Sequence, residues 1–159
     1  MPYRLISNLI VSRPIYAIVS VTRAFIDTSV LLYLISGDAA RVQCVKEILA
    51  AKSVINVQVY NEFAAGARRK IGLALSEISE ILTTISLVCG DPLALDFVTH
   101  KRAIAIAERY KFSFYDSLIV AAAIEAKCQL LYCEDLQHGQ IIADQLKIIN
   151  PFKAMAKLS

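Results

Sequence analysis

Ala24-Phe25-Ile26-Asp27-Thr28-Ser29 is the stretch whose reading decides the fold of this chain. Apolar residues end abruptly in a carboxylate followed by two hydroxyls, and Val30 to Ile35 is apolar again. The pattern reads as a buried β-strand that carries Asp27 at its C-terminal end, followed by a helix. Thr28 or Ser29 can cap that helix. In open α/β sheets, ligands bind beyond the carboxyl ends of the strands. Asp27 therefore stands where a site would be, although helix capping explains a lone Asp there equally well. What separates the two readings is whether other carboxylates arrive in equivalent places.

Working outward, residues 39–52 carry Val42, Val45, Ile48 and Leu49 at helical period. Ser53 to Val57 is a short β-branched run and reads as a second buried strand. Residues 58–71 return to helical period, with Val59, Phe63, Ala67 and Ile71 on one face, and Gly66 marking a close helix contact. Residues 73–87 read as a helix with Leu75, Ile78, Leu82 and Ile85 inward. Leu87-Val88-Cys89 reads as a short strand closed by Gly90-Asp91-Pro92. Residues 96–110 read as a helix with Ile104 and Ala107 inward, and residues 113–127 as a strongly apolar helix capped by Ser113. Gln129 to Cys133 and Leu146 to Ile149 read as strands, the last stopped by Asn150-Pro151. Strands alternating with helices give an α/β domain, a three-layer α/β/α arrangement with a mostly parallel central sheet. No internal repeat, low-complexity segment or domain linker interrupts it.

The chain has 159 residues, enough for one domain with a full core, and is 57% hydrophobic and 19% charged. Its net charge of +3 is uneven: residues 1–23 hold Arg4, Arg13 and Arg23 and no acid, and the remainder is neutral, with 14 bases against 14 acids. A general affinity for nucleic acid does not follow from this balance; any basic surface is local. The four cysteines, Cys44, Cys89, Cys128 and Cys133, lack zinc-motif spacing and read as small core residues in a reducing cytoplasm. The apolar runs before Ala24 fall short of the ~20 residues of a membrane span. Residues 1–23 read as an extra leader, with the natural start at Val21, residues 24–152 as the domain and 153–159 as a tail. The intact mass of the natively expressed protein checks that start.

Five acids stand out by position. Asp27 ends the first strand, Glu62 lies early in the helix after the second, Asp116 opens a buried helix, and Glu134 and Asp135 end a later strand. Strand C-ends and the starts of the following helices share one edge of a parallel sheet. Carboxylates gathered there repel unless a cation neutralises them. Mg²⁺ and Mn²⁺ prefer such oxygen ligands, and a cation so held can activate water and hold a phosphodiester for in-line attack. Singly, each acid is equally well a cap, a solvated helix residue or a polar turn. Jointly, and with Asp116 set between aromatics and an apolar run where an unpaired charge is costly, the functional reading is stronger.

Phe25-Ile26-Asp27-Thr28-Ser29, Glu62, Phe114-Tyr115-Asp116-Ser117-Leu118-Ile119 and Leu131-Tyr132-Cys133-Glu134-Asp135 together resemble the ordered acidic motifs of PIN-domain nucleases, and more narrowly of VapC-type toxins of bacterial toxin–antitoxin pairs. The resemblance runs from about Ala24 to Phe152. It implies a PIN-like fold, Mg²⁺- or Mn²⁺-dependent endoribonuclease activity in the cytoplasm, an RNA substrate and a cognate antitoxin that blocks the site. Asp27, Glu62 and Asp116 match the first three acids, and Asp27, Asp116 and Glu134 are the implied metal ligands. The fourth acid falls on Glu134 by alignment, where many members have Asp; Asp135 follows directly as a second candidate or outer-shell group. Ser29 matches a hydroxyl beside the first acid that could orient the attacking water.

Of the basic residues, Arg68, Arg69 and Lys70 form the densest run, beyond Glu62 on the same helix, and Arg69 shares its face. Arg68 and Arg69 are weak candidates for RNA contact against the simpler reading of a solvated face. Lys101-Arg102 and His100 read as surface residues, and His138 as structural or surface with a minor prospect of touching substrate. The apolar faces of residues 39–52 and 58–87 would suit a homodimer or an antitoxin groove. Two rivals remain: a catalytically inactive PIN-like binding module, and a phosphatase using an aspartyl-phosphate on Asp27, which Ser29 argues against because that chemistry wants a second Asp at its position.

Overall fold

The computed structural model describes residues 22–153; the expected leader apart from Thr22 and Arg23, and the expected tail apart from Lys153, lie outside the described residues. The elements are β1 (Ala24–Ile26), α1 (Thr28–Leu31) running into a 3₁₀ turn (Leu32–Ile35), α2 (Ala39–Ala50), α3 (Val57–Ile71), α4 (Leu75–Cys89), α5 (Phe97–Tyr110), α6 (Phe114–Glu125), β2 (Leu130–Tyr132), β3 (Ile141–Ile142) and β4 (Leu146–Ile149). The sheet order is β1-β2-β4-β3. β1 pairs in parallel with β2 and β2 with β4, whereas β3 runs antiparallel to β4 at the edge. The architecture is the expected three-layer α/β/α one. Phe25 and Ile26 show why it must be: neighbouring strand residues face opposite sides of a sheet, and both are 0% exposed.

The predicted second strand is reduced to backbone bridges. Ile26 N donates to Val54 O and Val54 N to Ala24 O, at 3.1 and 2.7 Å, so Val54 lies parallel against the free edge of β1. Asn56 then stops the extended run. It is fully buried, and its Oδ1 accepts from Val59 N at 3.0 Å, capping the helix that carries Glu62. Arg23, the last position of the expected leader, already joins the sheet: its carbonyl accepts from Gln129 N at 2.8 Å.

Three local expectations are corrected. Leu87-Val88-Cys89 is the last turn of α4 and not a strand; Ile78, Ile81 and Ile85 set a helical stripe that Val88 and Cys89 continue on partly buried positions. In the same helix Leu75 is 64% exposed, so the inward face is turned from the predicted one. In α5 the buried residues are Thr99, Ala103 and Ile106, while Ile104 lies outside. β3 carried no strand signal, being two residues long.

Gly66 sits on α3 where a Cβ would come within 3.2 Å of both Leu32 methyl groups, and the Thr28 hydroxyl reaches Val59 O at 3.5 Å. These contacts set α3 close against α1, which brings Glu62 toward Asp27. No helix among the described residues is long and apolar enough to cross a membrane. Phe63, next to Glu62 and fully buried, anchors α3 in the core. Phe63→Ala is expected to cost about 3–5 kcal/mol, read as a lower urea midpoint at unchanged slope.

Candidate active site

Asp27 follows β1 directly, and its carbonyl and side chain together start α1. Its Oδ2 accepts from Ser29 Oγ at 2.5 Å, from Ser29 N at 3.3 Å and from Cys133 Sγ at 3.2 Å. Ser29 Oγ in turn accepts from Glu134 N at 3.1 Å, so one hydroxyl joins the C-terminal ends of β1 and β2. Asp27 is the cap of α1, in place of Thr28 or Ser29, and it is also 4% exposed at the floor of a cleft. Burial raises its carboxyl above the ordinary range, and the Ser29 and Cys133 hydrogen bonds only partly oppose this.

The cleft encloses about 490 Å³ and is lined by Asp27, Glu62, Asp116, Glu134 and Asp135, every acid the sequence singled out. Glu62 accepts from Gln58 Nε2 at 2.8 Å, one turn back on α3. Asp116 enters from the first turn of α6, where Ser113 Oγ donates to its Oδ2 at 2.6 Å and accepts from its backbone N at 3.1 Å. Ser29 also lines the cleft. Of the basic run, Arg69 and Lys70 face it and Arg68 does not.

Glu134 and Asp135 are adjacent in sequence and differently engaged. Glu134 accepts from Tyr33 OH at 2.8 Å and pairs with Arg41 Nη1 at 3.6 Å. Arg41 also donates to Tyr33 OH and packs over the Tyr33 and Phe152 rings, at 4.6 and 5.2 Å from their centroids. Asp135 is held up in pKa by partial burial and by the charges of Asp116 and Glu134, while Lys70 pulls it down. Asp135 thus lies in the field of Asp116, Glu134 and Lys70, whereas Glu134 makes direct contacts with Tyr33 and Arg41.

Tyr33, Arg41, Lys70 and Cys133 are the site residues that sequence reasoning missed. Cys133 and Lys70 were within reach of it: Cys133 stands beside Glu134 at the end of the same strand, and Lys70 is eight positions past Glu62, two turns along one helix. Tyr33 and Arg41 carry no local signal, since Glu134 and Phe152 meet them only in the fold. His138 lies off the cleft, with its Nδ1 accepting from Asn150 N at 3.0 Å.

Among the described residues no group of three or more His, Cys, Asp or Glu forms a ready cation cage. An open, all-oxygen site still fits Mg²⁺ or Mn²⁺, because such ions keep several waters and take only one or two carboxylates. A carboxylate whose pKa is raised on folding weakens the fold above that pKa, and the penalty fades as pH falls through it. At pH 7 without metal, Asp27→Asn is therefore expected to raise Tm. The gain should shrink in acid, and added Mg²⁺ should stabilise the parent more than the variant in thermal melts.

The PIN domain family model matches residues 24–141. No curated protein matches the sequence. Among solved structures, the chain is similar to the crystal structure of Mycobacterium tuberculosis VapC20, described as a toxin that cleaves the sarcin–ricin loop. That likeness has a TM-score of 0.56 at 22% identity and covers 70% of this chain and 89% of the other. With the family model spanning most of its length, this chain belongs to the PIN-domain family.

Proposed function

We propose that the chain is a divalent-metal-dependent endoribonuclease, the toxin of a cytoplasmic toxin–antitoxin pair of VapC type. The observation that carries the reading is the convergence of acids from four separate segments on one cleft, with Asp27 nearly buried at its floor. The similarity to VapC20, a toxin that cleaves the sarcin–ricin loop, supports an RNA substrate; a cognate antitoxin that closes the cleft belongs to the same proposal. A homodimer and a domain spanning residues 24–152 belong to the same reading.

Asp27, Asp116 and Asp135 would hold the ion, with Glu62 opposite on α3. Once bound, Mg²⁺ or Mn²⁺ supplies charge neutralisation and Lewis acidity at the phosphodiester. Ser29 fixes Asp27 by its short hydrogen bond, and Ser113 fixes Asp116. Arg69 and Lys70 draw the RNA backbone to a cleft that is otherwise acidic. Assigning the fourth ligand to Asp135 in preference to Glu134 follows from their partners: Glu134 is held by Tyr33 and Arg41, and Asp135 lies in the field of Asp116. Glu134 then acts as the anchor of Arg41 at the lip of the cleft.

The test is cleavage of a mixed pool of structured RNAs with Mg²⁺, Mn²⁺ or EDTA. Cleavage should require metal. Asp116→Asn and Asp135→Asn should each lower the rate on the order of 10²–10³-fold, and Glu134→Gln by about 10- to 100-fold, the usual cost of a supporting group. Metal binding without cleavage by the parent protein would mark an inactive binding module. Equal losses at Glu134 and Asp135 would overturn the assignment between them.

A further inference from the structure

The outer face of α5 and the start of α6 carry large rings that the core does not use. Phe97 is 71% exposed, Tyr115 61% and Phe114 37%. They form a continuous ladder through His100. Phe97 and His100 lie nearly parallel, 14° apart with centroids at 6.1 Å, whereas His100 meets Phe114 edge-on at 5.3 Å and Phe114 meets Tyr115 edge-on at 5.8 Å, each at 65°. The ladder ends one residue before Asp116, a wall of the catalytic cleft. Lys101 Nζ sits 5.1 Å over the Phe97 ring.

We infer that the ladder of Phe97, His100, Phe114 and Tyr115 is a stacking platform for unpaired bases of the RNA strand that enters the cleft beside Asp116. The inference rests on the endoribonuclease reading and adds to it the kind of RNA that fits. Exposed rings with a cation among them are how proteins hold single strands: any base has a π-face to stack, and the cation attends the backbone. Bases inside a duplex do not offer that face, so the platform selects loops or single-stranded segments. Parallel Phe97 and His100 rings present a stack that a base can continue. The rival occupant of such a surface is another protein, which the exposed Val98 and Ile104 on the same helix would favour. Two features favour RNA: the cation seated on Phe97, and the place of Tyr115 next in the chain to Asp116, which lines the cleft.

The experiment uses the full chain with Asp116→Asn to stop turnover, in Mg²⁺. Fluorescence anisotropy reads the affinity for a labelled mixed-sequence RNA decamer, single-stranded or annealed to its complement. Phe97→Leu and Tyr115→Leu keep apolar bulk and remove the ring. Each should weaken binding of the single strand by roughly five- to a hundredfold and leave the duplex unchanged, while Tyr115→Phe should bind like its parent. Leu variants that bind the single strand as the parent does would overturn the platform. So would equal losses on single strand and duplex, which would mark a general charged surface. A changed oligomeric mass for Phe97→Ser by light scattering, with RNA affinity intact, would assign the rings to a protein interface and overturn it too. A parent that binds neither RNA overturns the ribonuclease reading itself, which sets that failure apart from failure of the platform alone.

Discussion

The structure depends on keeping one nearly buried carboxylate in place. Asp27 begins α1, sits at the end of β1 and is tied to the end of β2 through Ser29 and Cys133. These bonds answer the cost of taking a carboxylate out of water only in part, as its raised pKa shows. The strand ends are consequently held in register by the group that destabilises them. Sequence, sheet and chemistry meet there, at the residue where the strand ends and the helix begins.

Much of the fold was legible because its signals are local. The strand before Asp27, the helix cap at Ser113, and the apolar run of α6 each announce themselves within a few residues. The five acids were legible because a parallel sheet brings its strand C-ends to one edge. What was not legible depends on partners far away. Whether Ser53 to Val57 becomes a full strand depends on what flanks it, and here only Val54 bridges β1 before Asn56 caps α3. The different roles of Glu134 and Asp135 rest on Arg41 and Tyr33, about a hundred residues earlier in the chain.

The phase of α5 shows how a weak periodic signal misleads. Its apolar residues cover more than one face, so Ile104 and Ala107 could be taken as inward as readily as Ala103 and Ile106. Packing against α6 decides the matter: Thr99, Ala103 and Ile106 are buried, and Ile104, Phe97 and Val98 are turned outward. An ambiguous helix stripe is thus itself informative: apolar residues that cannot all be buried by one neighbour leave a face for something else.

The cation stack at Arg41 ties the lip of the cleft to a residue beyond the last strand. Phe152 is nearly buried, packs edge-on against Tyr33 at 4.6 Å and lies under the guanidinium that holds Glu134. The turn after β4 is therefore a mechanical strut of the site as well as the close of the domain. Phe152 and Glu134 are thus joined through a single guanidinium, so the packing of the turn after the last strand and the position of one acid of the cleft are set together.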